Sequence, residues 1–399
     1  MKRLWKTIPP CLSDTLGFEA VLNQTEGLGI IDDTSHYKPL RLGPMKELRH
    51  LRDEGPFLPG ERPRPKRVGD IRVVSSEIRN ADIIMGTQQK VLQAFAEGNA
   101  ELQPNFALLA YAPSASMIGS DLEADAELIT QSSGLSAASV NIHGDKDYLY
   151  GISVTLEAMG KLLLQKQAPI ANTVNLLGCN VVDWHKETLP TVERLVEMAG
   201  FIVLSRWGLK ETTKNLLKAS SASVNWVVNV SGLRLARYME ERLGIPYIVG
   251  APFGEVQSGV LLQALREQKQ LSVSTEEGSP EVLVIGEQLT ANAIREALRQ
   301  RGFEKIRVLS FFEMDKNWMQ PGDVKLSGED ALVEQMQASS IRLVVADLDY
   351  KAAAKREVPW ISLPNIANQS PVNGIANFNM AGAALDQWLD GELQNRRIR

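Results

Sequence analysis

The stretch VLVIGEQLTANAIREALRQRG, residues 282–302, contains one complete structural unit. Its first four residues are apolar, which predicts a short strand that is buried on both faces. A glycine and two polar residues follow, and after them apolar side chains recur every three or four residues up to Gly302. That spacing is typical of an amphipathic helix that ends at a glycine. The stretch therefore predicts a parallel strand followed directly by a helix.

Similar units recur along the chain and begin near residues 106, 174, 225 and 341. Alternating strands and helices predict parallel sheets that are joined by right-handed crossovers. The polar segment 267–281 is a predicted linker, and a second boundary is expected near 143–151. We therefore predict an α/β fold with three Rossmann-like, doubly wound domains, which span residues 1–150, 151–275 and 276–399.

Composition and charge exclude several classes of protein. The 399-residue chain has a formal charge of -5 and a sequence pI of about 5.6, which argues against binding to nucleic acid. It has no run of 18 apolar residues, so we expect no membrane span. Its two cysteines, Cys11 and Cys179, are too few for a disulfide framework and indicate a reducing compartment. We expect a cytoplasmic protein.

Polar residues follow the strand predicted at residue 282, and ligands of open parallel sheets bind at that end of the strands. Glu287, Gln288 and Asn292 are therefore predicted cofactor-binding residues, with Glu287 placed to receive a ligand hydroxyl and the helix start to hold an anion. The alternative is that Thr290 or Asn292 only caps the helix. The chain contains neither GxGxxG nor GxxxxGK[ST], so we do not expect it to hydrolyse ATP itself.

The residues expected of a hydrolase or of a self-contained metal site are missing from the sequence. No GxSxG motif occurs, and the four histidines are scattered. Cys179 ends an apolar run and is predicted to be an inert core thiol. Two cysteines and four histidines form no four-ligand metal site without help from carboxylates or another chain.

The stretch IIDDTSHYKPL, residues 30–40, places many possible ligand atoms where a buried strand ends. Asp32, Asp33 and His36 offer oxygen and nitrogen ligands there. The alternative is that these polar side chains only cap the turn.

Five segments resemble, in the same order, those of the nitrogenase component 1 superfamily. This superfamily contains nitrogenase α and β chains, cofactor-assembly scaffolds and subunits of dark-operative protochlorophyllide reductases. The segments are IPPCLSDTLGFEAVLNQTEGLGIIDDTSHY (8–37), RVVSSEIRNADIIMGTQQKVLQAF (72–95), YAPSASMIGSDLEADAELI (111–129), ASVNWVVNVSGLRLARYMEERLGIPYIVGAPFG (222–254) and VLVIGEQLTANAIREALR (282–299).

The resemblance implies a [4Fe-4S] cluster at a subunit interface, a homologous partner subunit and an iron protein-like ATPase that delivers electrons. Cys11 stands at the first ligand position of the family, and the second position falls at His36 or Tyr37. The third falls near Ala112 and Pro113, which bind no metal. The resemblance thus implies Cys11, Asp32, Asp33 and His36 as metal candidates for a cluster held mostly by the partner. The alternative is that the cluster has been lost.

Three functions stay open from the sequence. The first is a component 1-like oxidoreductase subunit that pairs with a cysteine-bearing homologue, homomeric or mixed, and reduces an unsaturated or tetrapyrrole-like substrate. The second is a non-redox scaffold or maturation protein that binds a cofactor without a cluster. The third is a sugar-nucleotide enzyme, which needs a basic phosphate clamp and an acidic residue for the ribose. The sequence offers Glu287 as the acidic residue and no basic clamp for the phosphates.

Overall fold

The computed structural model describes residues 12–33, 72–271, 278–354, 356–365 and 378–396, which form three parallel β-sheets with helices on their faces. All strand pairs within the three sheets are parallel. This architecture confirms the predicted α/β class with several doubly wound sheets.

The first sheet has four strands in the order β2–β1–β3–β4. The strands are β1 (Leu28–Asp32), β2 (Val73–Ser75), β3 (Ala107–Tyr111) and β4 (Ala137–Ser139). The helices of this part are α1 (Asp14–Leu22), α2 (Asn80–Met85), α3 (Gln88–Leu102), α4 (Pro113–Ser116) and α5 (Leu122–Ser133). Every residue of β1 is buried, as expected for a central parallel strand.

The second sheet has the same topology, with strand order β6–β5–β7–β8. Its strands are β5 (Ile170–Leu177), β6 (Ile202–Trp207), β7 (Ala222–Val227) and β8 (Tyr247–Val249). The helices here are α6 (Tyr148–Leu163), α7 (Thr188–Met198), α8 (Thr213–Lys218), α9 (Leu233–Leu243) and α10 (Glu255–Glu267), with 3-10 turns at Ala219–Ser221 and Val230–Gly232.

The third sheet has five strands in the order β11–β10–β9–β12–β13. The strands are β9 (Val282–Ile285), β10 (Ile306–Ser310), β11 (Val324–Lys325), β12 (Leu343–Ala346) and β13 (Trp360–Ser362). Its helices are α11 (Gln288–Arg299), α12 (Glu329–Gln335) and α13 (Ala384–Asn395), with 3-10 turns at Lys316–Trp318 and Leu348–Ala353.

Helices α1 and α6 cross so closely that only glycine fits at two positions. A Cβ atom at Gly17 would lie 2.1 Å from the carbonyl oxygen of Tyr148, and one at Gly151 would lie 2.0 Å from that of Asp14. The crossing joins the first sheet to the second, and one apolar core continues through all three sheets. The domain boundaries at residues 150 and 275 stay a prediction; α6 spans the first of them.

The strand order reverses next to the first strand of each sheet, between β1 and β3, β5 and β7, and β9 and β12. At such a switch point neighbouring connections leave on opposite faces and open a crevice at the carboxyl ends of the strands. No helix among the described residues has the length and apolar character to cross a lipid bilayer.

Candidate functional site

The carboxylate of Asp32 lies at the switch point of the first sheet and is bound by hydroxyl groups. The Ser76 hydroxyl donates to Oδ1 at 2.7 Å, and the Thr87 hydroxyl donates to Oδ2 at 2.9 Å. Asp32 is completely buried, and the hydroxyls of Thr87 and Ser120 are 2.7 Å apart. Both oxygens of Asp32 therefore serve as internal hydrogen-bond acceptors that join β1 to the segments following β2.

Backbone hydrogen bonds hold two further positions at this edge. The backbone N–H of Asp33 donates to the Ser76 hydroxyl at 3.0 Å, and its carbonyl oxygen accepts from Ile78 at 2.8 Å. The N–H of Ala112 donates to the carbonyl of Asp32 at 3.1 Å, which places Ala112 beside β1 without a ligand atom. Within the described ranges, no three His, Cys, Asp or Glu side chains are grouped to hold a metal ion.

The described residues at this edge do not fit an iron–sulfur cluster. Such clusters are bound mainly by cysteine thiolates. The described residues of this edge instead present hydroxyls, the Asp32 carboxylate that Ser76 and Thr87 already occupy, and the buried Asp33. Asp32 would have to lose both hydroxyl bonds to reach a metal, leaving buried donors without a partner. Of the remaining candidates, Asp33 is buried, and Cys11 and His36 lie outside the described residues.

A group of exposed apolar side chains, the first-sheet patch, lies beside this hydroxyl cluster. It consists of Ile83, Ile84, Met85 and Met117, which are exposed by 43%, 85%, 85% and 89%. Helix α2 has no buried residue at all. Its two segments are joined by the contact of Thr87, two residues after Met85, with Ser120, three residues after Met117. Contiguous exposed apolar surface is typical of sites that bind another molecule, so the patch is a candidate interaction surface.

The switch points of the second and third sheets face each other across a narrow central cleft. The carboxylates of Asp183, Glu287 and Asp347 line it, together with Asn365, Phe378 and Met380. The cleft has a volume of about 40 Å³, which is room for about three water molecules. The backbone N–H of Val230, after β7, donates to Glu287 Oε1 at 3.0 Å and ties the two sheets together.

Glu287 is the cap of α11 as well as part of the cleft wall. The N–H of Leu289 donates to Oε1 at 3.1 Å, and the N–H of Thr290 donates to Oε2 at 2.8 Å. Burial raises the pKa of this carboxyl, while the hydrogen bonds from Val230, Thr290 and Leu289 lower it. The helix is therefore capped by Glu287, where the sequence had left Thr290 or Asn292 as the alternative.

Gln288 and Asn292 hold in place the loop that follows β10. The side-chain oxygen of Gln288 accepts from the N–H of Asp315 at 2.7 Å, and its Nε2 donates to the Asp315 carbonyl at 2.9 Å. Asn292 Nδ2 donates to the carbonyl of Trp318 at 3.1 Å, and its Oδ1 accepts from Arg295. Their polar atoms thus bind protein, and cofactor binding by them stays a prediction.

Asp183 is a site residue that the sequence analysis missed. Its Oδ1 accepts from the Tyr148 hydroxyl at 2.5 Å, and its Oδ2 accepts from the Nδ2 atoms of Asn180 and Asn229, each at 2.9 Å. Burial raises the pKa of Asp183 to about 6 despite these bonds, and it also raises the pKa of Tyr148. The available signal was weak: Asn180 and Asn229 both follow strands that flank a switch point.

The three carboxylates give the central cleft a negative character. The described residues that line it include no lysine or arginine. Asp347 is held by the N–H groups of Asp349 and Asn365, each at 2.9 Å. A phosphate would be repelled here, so the lining disfavours the sugar-nucleotide hypothesis, which needs a basic clamp.

A family profile described as nitrogenase component 1 type oxidoreductase matches residues 60–319, more than half of the chain. The chain belongs to this family. Component 1 membership agrees with the segments that carried the resemblance and with the three parallel sheets.

Relatives of this component 1 chain include the B subunits of two light-independent protochlorophyllide reductases. The protein of Staurastrum punctulatum is 25% identical over 217 residues, which cover 50% of this chain and 42% of that protein. The protein of Nostoc punctiforme is 25% identical over 215 residues, again covering 50% and 42%. The matched part is thus less than half of the length of these relatives.

Solved structures of nitrogenase resemble the component 1 chain over nearly its whole length. "Nitrogenase Cp1 at pH 6.5" matches with a TM-score of 0.72 and 13% identity, covering 99% of this chain and 94% of that one. "Nitrogenase Cp1 at pH 5" matches with a TM-score of 0.55 and 14% identity, covering 91% and 78%. At this level of identity the likeness concerns the fold.

Cys179 is the cysteine that lies among the described residues, and its position is structural. Cys179 follows β5, is completely buried, and forms no disulfide. Burial raises the pKa of its thiol well above the ordinary value, so the reactive thiolate is suppressed. The predicted core position of this thiol is confirmed.

Proposed function

We propose that this chain is a component 1-type oxidoreductase subunit that pairs with a homologous, cysteine-bearing subunit through the carboxyl edge of its first sheet. The assembly would receive electrons from an ATP-dependent iron protein and reduce an unsaturated or tetrapyrrole-like substrate. Family membership supports the reaction class. The matched reductase relatives are named as B subunits, and a subunit is by definition part of a larger assembly.

The first-sheet patch is the observation that carries this proposal. Ile84 and Met85 are each 85% exposed and Met117 is 89% exposed, next to the edge where the family resemblance places a shared cluster. Burying such side chains stabilises a complex by about 25 cal/mol for each Å² of apolar surface removed from water. A partner of the same fold would cover the patch and bring its own cluster ligands to the same edge.

Ligands for any cluster would come mainly from the partner. Asp32 is occupied by Ser76 and Thr87, and Ala112 offers no ligand atom. Cys11, Asp33 and His36 remain the candidates of this chain for a single shared ligand. A tetrapyrrole-sized substrate would need a cavity completed by the partner, because the central cleft holds only about 40 Å³.

Copurification tests the pairing. The chain would be expressed with a component 1 homologue encoded in the same organism, and the assembly measured anaerobically by size-exclusion chromatography with light scattering. We expect Ile84→Glu and Met85→Glu to abolish the complex without unfolding the chain, because both side chains project into solvent. Met198→Glu is the matched control, since Met198 is 79% exposed but lies on α7, away from the first sheet.

A complex that survives both patch variants would overturn the proposed interface. Loss of the complex in Met198→Glu as well would show that added charge alone is responsible. Iron and acid-labile sulfide are measured in the same samples, with the chain purified alone as the reference. We expect iron in the assembly and none in the chain alone.

A non-redox scaffold or maturation protein is the second candidate. The hydroxyl bonds of Ser76 and Thr87 to Asp32 favour it, because they fill the former ligand edge with structural contacts. An assembly that forms through the patch but contains no iron would support the scaffold and reject the reductase.

A further inference from the structure

A second, larger space lies where helices that flank the second sheet meet a loop of the third. It lies between helices α6 and α9 and the loop that begins at Glu313, and its volume is about 870 Å³. This is within the range of small-molecule sites, which measure about 300–1,000 Å³. We call it the α9 groove. Nothing in the proposed reductase or scaffold function accounts for it.

The loop forms one wall of the groove, and hydrogen bonds from helix α11 hold that wall in place before any ligand binds. Helix α11 presents Gln288, Asn292, Arg295 and Arg299 on one face, and each binds a different part of the loop. The tightest tie is the ion pair of Arg295 with Asp323, whose side chains are 0% and 1% exposed. Both guanidinium Nη atoms donate to the carboxylate at 2.9 Å. A preorganised wall reduces the entropy cost of binding a ligand.

Basic side chains outnumber acidic ones in the α9 groove, although the chain as a whole carries a net charge of -5. The five basic residues are Lys161, Arg234, Arg237, Arg242 and Lys325, against four acidic ones. Arg242 and Lys325 form no ion pair with any residue in the described ranges. The groove therefore has a local positive surplus that is available to an anion.

Two ion pairs cross the groove from α9 to the loop. Arg234 meets Glu313 at 3.6 Å, and Arg237 meets Asp315 at 2.5 Å. Both arginine side chains are more than two-fifths exposed, and ion pairs that solvent reaches contribute little to stability. An anion that binds here competes with Glu313 and Asp315 for these two arginines.

The cations of the groove are spaced along one helix. Arg234 and Arg242 are eight residues apart on α9, which corresponds to about 12 Å. The groove thus presents separated cations, whereas the central cleft combines a narrow space with three carboxylates.

We propose that the α9 groove binds an organic anion that carries at least two acidic groups, carboxylate or phosphate. Arg234 and Arg237 bind one acidic group, and Arg242 binds the other. This site is independent of the proposed redox partner and requires only the full chain.

Calorimetry with synthetic probes tests the charge pattern. The probes are biphenyl-4,4′-dicarboxylate, biphenyl-4,4′-diphosphonate and the monoacid biphenyl-4-carboxylate, titrated into the full chain. We expect the two diacids to bind at least tenfold more tightly than the monoacid. The ratio of dicarboxylate to diphosphonate affinity identifies which acidic group the groove prefers. Equal affinities for diacid and monoacid, or no binding of any probe, overturn the proposal.

Three variants locate the binding. Arg242→Gln removes an exposed cation and is expected to weaken diacid binding at least fivefold. Asp315→Asn removes a competing anion while keeping the backbone bonds to Gln288, so diacid binding should strengthen. Arg194→Gln, on α7 and outside the groove, is the control and should change nothing. Binding that is unaffected by Arg242→Gln and Asp315→Asn lies elsewhere and rejects the site.

Discussion

Protonation of the Asp183 carboxyl is coupled to folding. Burial raises its pKa from an ordinary 3.8 to about 6, so the folded chain holds this proton more tightly than the unfolded chain does. The contribution of Asp183 to stability is therefore largest below pH 3.8 and decreases until the pH reaches about 6. We expect the free energy of unfolding of the wild type, relative to Asp183→Asn, to fall across this window and stay constant above it.

Urea denaturation at a series of pH values checks this dependence, and Asp390→Asn serves as a control of opposite sign. Arg301 holds the pKa of Asp390 below its ordinary value. The wild type should therefore lose stability relative to Asp390→Asn as the pH falls below that value. A difference curve for Asp183→Asn that is flat between pH 4 and 6 would contradict the assignment.

For single residues of the site, the sequence carries the least information. Glu287 is a predicted cofactor-binding residue because it follows a strand, but its bond to Val230 comes from another sheet. Asp32 was predicted as a ligand, whereas Ser76 and Thr87, which bind it, are distant in sequence. Local patterns locate a strand end, and they contain no information on which donors the fold brings to it.

At the scale of elements, the crossing of α1 and α6 depends on two glycines. A Cβ atom at Gly17 would lie 2.1 Å from the backbone oxygen of Tyr148, a contact that no side-chain movement relieves. We expect Gly17→Ala to lower the free energy of unfolding by about 1–3 kcal/mol or more, because the helices must separate. Urea denaturation measures the loss.

Gly259→Ala is the matched control for that substitution. Gly259 lies inside α10, and a Cβ atom there would meet nothing within 4 Å. Alanine is the better helix former, so this variant should gain up to about 1 kcal/mol. Equal effects of the two substitutions would contradict the role given to the α1–α6 crossing.

Elements themselves were predictable where the periodicity was strong. The unit at residues 282–302 appears as β9 and α11, with the helix beginning at Gln288. The pattern gave no indication that one face of α11 would fix a loop. Gln288 and Asn292 are polar in sequence whether they face a cofactor or the backbone of Asp315 and Trp318.

At the scale of the whole molecule, local sequence patterns predict the sheets but not the spaces between them. The order of strand–helix units was sufficient to predict parallel, doubly wound sheets, since crossovers between parallel strands have one hand. The central cleft and the α9 groove both lie between the second and third sheets. Their opposite charges depend on how the sheets pack, which no single segment encodes.

Cys11 gives the sharpest prediction for the whole assembly, and it lies outside the described residues. Cys179 is buried and chemically suppressed, so Cys11 is the one thiol of the chain left for a shared cluster. We expect Cys11→Ala to lower the iron and sulfide content of the copurified assembly and to reduce its broad visible absorbance from thiolate-bound iron. Cys179→Ala should leave both unchanged. Iron content that is the same in Cys11→Ala and wild type would mean that the partner supplies every thiolate. An oxygen or nitrogen ligand from Asp33 or His36 would then be the only contribution left to this chain.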